Sequence, residues 1–154
     1  MKPNYQLQEK AIKTIAKELD KLLANTMLLY VQTLHCHWNL EDPRFFSLHT
    51  LFENQYTQLA ENGDLLAEKI RQMGERVEGT MAHFIKTGSL KEITKKLSGN
   101  QMIEILAISH EEAISGIRKA IDVCEKHKDP GTVDLLSGIL LDHEKAAWFL
   151  RSHL

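Results

Sequence analysis

Apolar residues recur at steps of three and four through four long stretches of the chain, the spacing that lines one face of an α-helix. The first stretch runs from about Gln6 to Cys36 and sets Ile12, Ile15, Leu19, Leu22, Thr26, Tyr30 and Thr33 on one stripe. One further step along it reaches His37. Residues Asn39 to Pro43 interrupt the pattern, with Asp42 and Pro43 expected to serve as cap and first-turn residue of the next helix. The second stripe carries Leu48, Leu51, Phe52, Tyr56, Leu59, Leu66, Ile70 and Met73 and closes near Gly74. Gly63, in its middle, costs about 1 kcal/mol relative to alanine. Close approach of two antiparallel helices there is one reading, and an ordinary surface glycine is the other.

From Gly74 to Gly99 the periodicity lapses, and the Ser89 and Glu92 pair has the form of a capping box, which predicts a short helix in this linker. Ser98 and Gln101 form a second box ahead of a third stripe through Ile103, Leu106, Ala107, His110, Ile114, Ile117 and Ile121 to about Lys126. Asp129, Pro130 and Gly131 make the next break. The last stripe holds Leu135, Leu136, Ile139, Leu140, His143, Ala147 and Leu150. Four long helices with one long crossover between the second and third make an all-α chain, the ferritin-like version of the four-helix bundle, expected as one domain over residues 1–154.

Composition narrows the class. A chain of 154 residues, 43% apolar and 26% charged, is that of a soluble globular domain large enough to bury a core without staples. Neither end reads as a signal peptide and no apolar run approaches membrane-spanning length, so a cytoplasmic protein is expected. Two cysteines, Cys36 and Cys124, fit buried thiols in a reducing compartment. The formal charge of -2 argues against a generic nucleic-acid binder, and Lys10, Lys13, Lys17 and Lys21 read as a solvated stripe. No nucleophile with its base and no glycine-rich phosphate loop occurs.

The chemistry lies between His37 and Gly74. His49 and Glu53 stand four residues apart on the second helix, as do Asp64 and Glu68, so each pair shares a face and offers half of a metal site. The fifteen residues from His49 to Asp64 span about 22 Å along a helix and turn roughly 60° around it. No single ion can touch both pairs in one chain. If the same helix of a second copy lies antiparallel across a two-fold axis near Gln58 and Leu59, the two pairs face each other and close two identical shared sites. No glutamate is followed three residues later by a histidine, so the Glu-x-x-His sites of most bundle di-iron proteins are absent. The mixed set of His37, His49, Glu53, Asp64 and Glu68 suits iron, with open positions for water or an oxidant. His35, His83, His110, His127, His143 and His153 lack a carboxylate at matching spacing and read as core or surface residues.

The run His37-Trp38-Asn39, Phe45, Leu48-His49, Phe52-Glu53, Tyr56, Asp64, Ala67-Glu68, Ile70-Arg71 and Gly74 resembles the signature of the Dps family, the mini-ferritins. The crossover with its short helix and the closing Asp142-x-x-Lys145-x-x-Trp148 resemble that family too, so the likeness covers almost the whole chain. The resemblance implies a subunit of a hollow homo-dodecamer that oxidises Fe(II), typically with hydrogen peroxide, and stores the product inside. It implies ferroxidase ligands His37, His49 and Glu53 from one subunit with Asp64 and Glu68 from its two-fold mate, and Trp38 beside the centre. It also implies Asp134, less firmly Asp129, as lining an iron channel at the three-fold axis.

Two departures from the family pattern stand out. Many members carry aspartate where this chain has Glu53, and the lysine-rich tail of DNA-binding members is missing, only Lys2 preceding Gln6. Twelve copies would carry about -24, a sign that repels DNA. DNA binding is therefore expected to be weak or absent. A nucleoid-compacting protein with secondary iron chemistry, and a cage with a vestigial or zinc-filled site, are the rival functions.

Overall fold

The computed structural model describes residues 6–154 as α1 (Glu9–Asn39), α2 (Phe45–Gln72), α3 (Met81–Thr87), α4 (Gly99–Lys126) and α5 (Pro130–Arg151). Lys2, on which the reading of a missing basic tail turns, lies outside the described residues. The four long helices form the bundle that the stripes predict, with α3 in the crossover. Two hairpins, α1 with α2 and α4 with α5, join through α1 against α4. The opposite seam, α2 against α5, is only sparsely packed.

The core divides into two apolar clusters along the bundle axis. One contains Ile15, Leu19, Leu23, Leu66, Ile70, Ile117, Leu136 and Ile139. The other contains Leu29, Leu48, Phe52, Leu59, Met102, Ile103, Leu106 and Leu150. Between them the sequence of each helix places a buried polar residue: Thr26 on α1, Asn62 on α2, His110 on α4 and His143 on α5. The bundle has a polar waist.

Helix ends follow local chemistry, and two differ from the sequence reading. Arg44 precedes the first residue of α2, and Asp42 does not cap that helix. Its carboxylate is used within its own turn, accepting from the Arg44 backbone N–H (2.8 Å), from Nε (2.8 Å) and from Nη2 (2.9 Å). Those bonds hold the Asp42 carboxyl down at about 2. Arg44 also donates to Asn100 Oδ1 and to the His153 carbonyl, which ties the start of α2 to α4 and to the far end of α5.

The short helix opens at Thr80, whose side chain accepts from the His83 N–H, and ends before Ser89. No helix opens at Ser89, whose hydroxyl accepts from Asn25 Nδ2 (3.1 Å) and donates to Glu112 (2.5 Å) while its N–H donates to Asn25 Oδ1 (2.8 Å). These bonds, with Gln32 donating to the Lys91 carbonyl, strap the crossover along α1. The strap lies so close that a Cβ on Gly88 would clash with the Leu28 side chain.

The Ser98 and Gln101 box is formed in both directions, and Asp129 caps α5 ahead of Pro130. Gly74 stands at φ 87° just past α2, where its N–H and that of Glu75 satisfy the last carbonyls. Gly63 is buried against α1 of its own chain, and a Cβ placed on it would meet Met27, Leu23 and Thr26 at ordinary contact distance, 3.5 Å or more. Its burial excludes the surface reading, and the room left for a Cβ shows that no close approach of helices demands glycine there.

Candidate metal centre

The first helix runs on to Asn39, so His37 sits in its last turn, among the residues whose carbonyls have no partner further along the helix. Leu40, extended and buried, ends α1, and the five residues 40–44 reverse the chain. The second helix then returns alongside α1, and His49, in its second turn, comes back against His37. Their rings stack with centroids 3.7 Å apart and 18° between planes. Phe45 stacks on the outer side of His49 at 4.7 Å, and Tyr56 meets His37 edge-on at 5.2 Å.

Hydrogen bonding fixes what these imidazoles can do. His37 Nδ1 lies 3.0 Å from the His49 carbonyl, and His49 Nδ1 lies 3.2 Å from the His37 carbonyl. A carbonyl only accepts, so each Nδ1 carries a proton, and in the neutral ring Nε2 is the nitrogen that keeps its lone pair. Both rings are thereby held in the tautomer that binds a metal through Nε2, with a backbone carbonyl as the orienting partner. His37 is buried and His49 half-buried.

The carboxylates stand differently. Glu53, Asp64 and Glu68 are all exposed on α2, and among the described residues no three of His, Cys, Asp or Glu converge within one chain. The structure therefore brings His37 and His49 together and leaves Glu53 and the Asp64 and Glu68 pair at the surface. Trp38 is 70% exposed and lines a groove with His35, Ile93 and Leu97, on another side of α1 from the histidine stack. Asp134 is exposed near the start of α5. Asp129 is buried, and both its oxygens are taken by Thr132, Oδ1 by the N–H at 3.1 Å and Oδ2 by the hydroxyl at 2.5 Å.

The sequence reading missed three features. Phe45 and Tyr56 carry the family likeness but gain a physical role only here, as the walls of the histidine stack. His83 has a carboxylate partner after all: Asp20, 2.9 Å from Nε2 and 63 residues away in sequence. No spacing rule reaches that far. His110 and His143, read as core or surface residues, are both core and face each other.

Comparison with known proteins places this geometry. The ferritin-like domain matches residues 16–154. A low-temperature-induced protein of Nostoc sp. is 35% identical over 98% of this chain and 86% of its own length. The DNA protection during starvation protein of Agrobacterium fabrum is 32% identical over 99% of this chain and 95% of its own. Among solved structures, a Dps protein from Bacillus brevis superposes with a TM-score of 0.91 at 30% identity, covering 96% of this chain and 99% of that one. The Dps protein of Vibrio cholerae, described as a member of a broad superfamily of ferritin-like diiron-carboxylate proteins, gives 0.92 at 29% identity, covering 99% and 96%.

The chain is thus a ferritin-like protein, an all-helical four-helix bundle with one short helix in its crossover. Within that class it belongs to the Dps family. Membership supports iron storage or DNA protection as the general role. No helix among the described residues is long and apolar enough to cross a membrane.

Proposed function

We propose that this protein is a ferroxidase that takes up Fe(II), oxidises it with hydrogen peroxide or O2 at sites shared between two subunits, and stores the Fe(III) mineral inside a hollow dodecamer. The observation that carries the reading is the locked histidine pair. Both imidazoles present an unprotonated Nε2, and a third donor, Glu53, follows His49 by one helical turn. Asp64 and Glu68 lie about 22 Å farther along the same helix, too far to serve the same ion and correctly spaced to serve that of an antiparallel mate.

In this reading His37, His49 and Glu53 of one copy bind Fe(II), and Asp64 and Glu68 of the mate complete the pair. Neutral imidazoles and anionic carboxylates make a hard and borderline donor set that holds both iron oxidation states. Each Fe(II) gives one electron; hydrogen peroxide accepts both, its O–O bond breaks, and two protons complete two water molecules. Pairing the donors delivers the electrons together and avoids release of hydroxyl radical. The few protein ligands leave each ion free to depart as Fe(III) oxyhydroxide. Trp38 stands one residue from His37, and Asp134 is an exposed acid suited to a channel that admits Fe(II).

Crystals grown anaerobically with Fe(II) test the arrangement. Anomalous density between His37, His49 and Glu53 of one copy and Asp64 and Glu68 of another is the expected result. Iron bound elsewhere, or α2 turned away from every symmetry mate, overturns it. Direct DNA protection is the second reading, favoured by the name of the Agrobacterium relative and opposed by the charge of -2 per chain. A salt-sensitive gel shift at moderate protein concentration would favour it.

A further inference from the structure

The polar waist of the bundle holds a second pair of histidines that the shared site does not use. His110 on α4 is 2% exposed and His143 on α5 is 1% exposed, and their Nδ1 atoms lie 2.9 Å apart. Two neutral imidazoles meeting in this way share one proton: one ring is protonated on Nδ1 and the other must be protonated on Nε2. Both Nε2 atoms are buried without a partner, one therefore an orphan donor and the other an orphan acceptor. A buried polar atom left this way keeps the full cost of its lost hydration.

The rings border a cavity of about 290 Å³ in the sparsely packed seam between α2 and α5. Its α2 wall is amide-rich, with Asn54, Gln55, Gln58 and Asn62, and Asp142 stands on the α5 side. Gln55 donates to the Ala146 carbonyl at 3.2 Å and keeps a buried Oε1 with no partner. The cavity also includes Lys145, whose ammonium sits 5.7 Å from the centre of the Phe149 ring. An open route, two nitrogen donors and an unclaimed oxygen acceptor thus occur at one place.

We infer that His110 and His143 form a second, intrachain site for a divalent transition-metal ion, bound between their Nδ1 atoms and reached through the α2 and α5 seam. With metal–nitrogen bonds of about 2.0–2.1 Å, nitrogens 2.9 Å apart subtend about 90° at the ion. That angle belongs to square or octahedral coordination and selects Cu(II) or Ni(II) over tetrahedral zinc. Binding moves the shared proton to Nε2, so both rings carry Nε2–H and both Nδ1 lone pairs go to the metal. No third His, Cys, Asp or Glu joins them among the described residues, so water from the cavity fills the remaining positions. The site is separate from His37 and His49, which stand on α1 and α2 next in sequence to Cys36 and Leu48 of the second apolar cluster.

Copper binding to the assembled protein tests this, using the His37→Ala/His49→Ala double variant so that the shared site is disabled. Crystals soaked in Cu(II) alone should show an anomalous peak between the two Nδ1 atoms, and equilibrium dialysis should show one copper per chain that both His110→Gln and His143→Gln abolish. Circular dichroism and particle size confirm that each variant is folded; should glutamine disrupt the fold, His143→Phe provides the same loss in an apolar form. Absence of a peak between the rings at saturating copper overturns the proposal. So does a peak, or a copper equivalent, that survives both substitutions.

Discussion

Two histidine pairs occupy this small bundle, and they are built on opposite principles. His37 and His49 lie face to face at the end of α1, each Nδ1 given to the other's backbone carbonyl. His110 and His143 meet edge to edge in the interior, Nδ1 against Nδ1. A carbonyl fixes one tautomer on both rings, whereas an imidazole partner forces the two rings into different ones. The first pair is set for a cation before any cation arrives. The second must rearrange a proton to receive one, and in its absence stays neutral and under-satisfied.

The sharpest way to break the contrast is to remove the outer pair. His37→Ala with His49→Ala should lower the rate of peroxide-dependent Fe(II) oxidation by on the order of a hundredfold or more while particle size is unchanged. Oxidation at the wild-type rate would show that the stacked pair is not the centre.

The inner pair predicts a stability profile. Burial pushes His143 down to about 4, and His110 well below the usual 6.5 through burial and then the neighbouring charge of His143. The unfolded chain therefore binds more protons, so stability is complete above about pH 6.5 and is lost as the pH falls toward 4. For His143 alone this amounts to about 3 kcal/mol. Urea unfolding of chelator-treated protein from pH 7 to pH 4 measures it, and replacing both rings by phenylalanine should flatten the slope.

Acid should also weaken iron uptake, because metal competes with protons for a neutral imidazole. The initial oxidation rate is expected to fall as the pH is lowered from 8 to 5. A flat rate across that range would count against histidine ligation. The smallest effect is reserved for the walls of the outer stack. Phe45→Ala removes the ring on His49, worth about 1 kcal/mol, and should raise the Fe(II) concentration needed for half-maximal rate by about fivefold. No change would show that the two backbone bonds orient His49 unaided.

Periodicity made the bundle legible because each long helix buries a continuous stripe, and the Ser98 box and the Asp129, Pro130 and Gly131 break marked two boundaries correctly. The Ser89 box failed because its hydroxyl and N–H are drawn to Glu112 and Asn25, residues that sequence proximity does not disclose. Asp42 failed for the converse reason: an arginine two residues away outcompetes the helix end. His49 and Glu53 could be read as one helical face, whereas the exchange of backbone bonds between His37 and His49 depends on how tightly the five-residue reversal folds. The waist was visible only as His110 and His143 lying on apolar stripes, with nothing in the spacing to say that they meet.

The uneven seams of the bundle have a mechanical consequence. Closely packed along α1 and α4 and sparsely along α2 and α5, the two hairpins resemble the boards of a book whose spine is glued and whose fore-edge is not. Amide hydrogens lining that fore-edge are the ones that solvent reaches first, long before the spine yields.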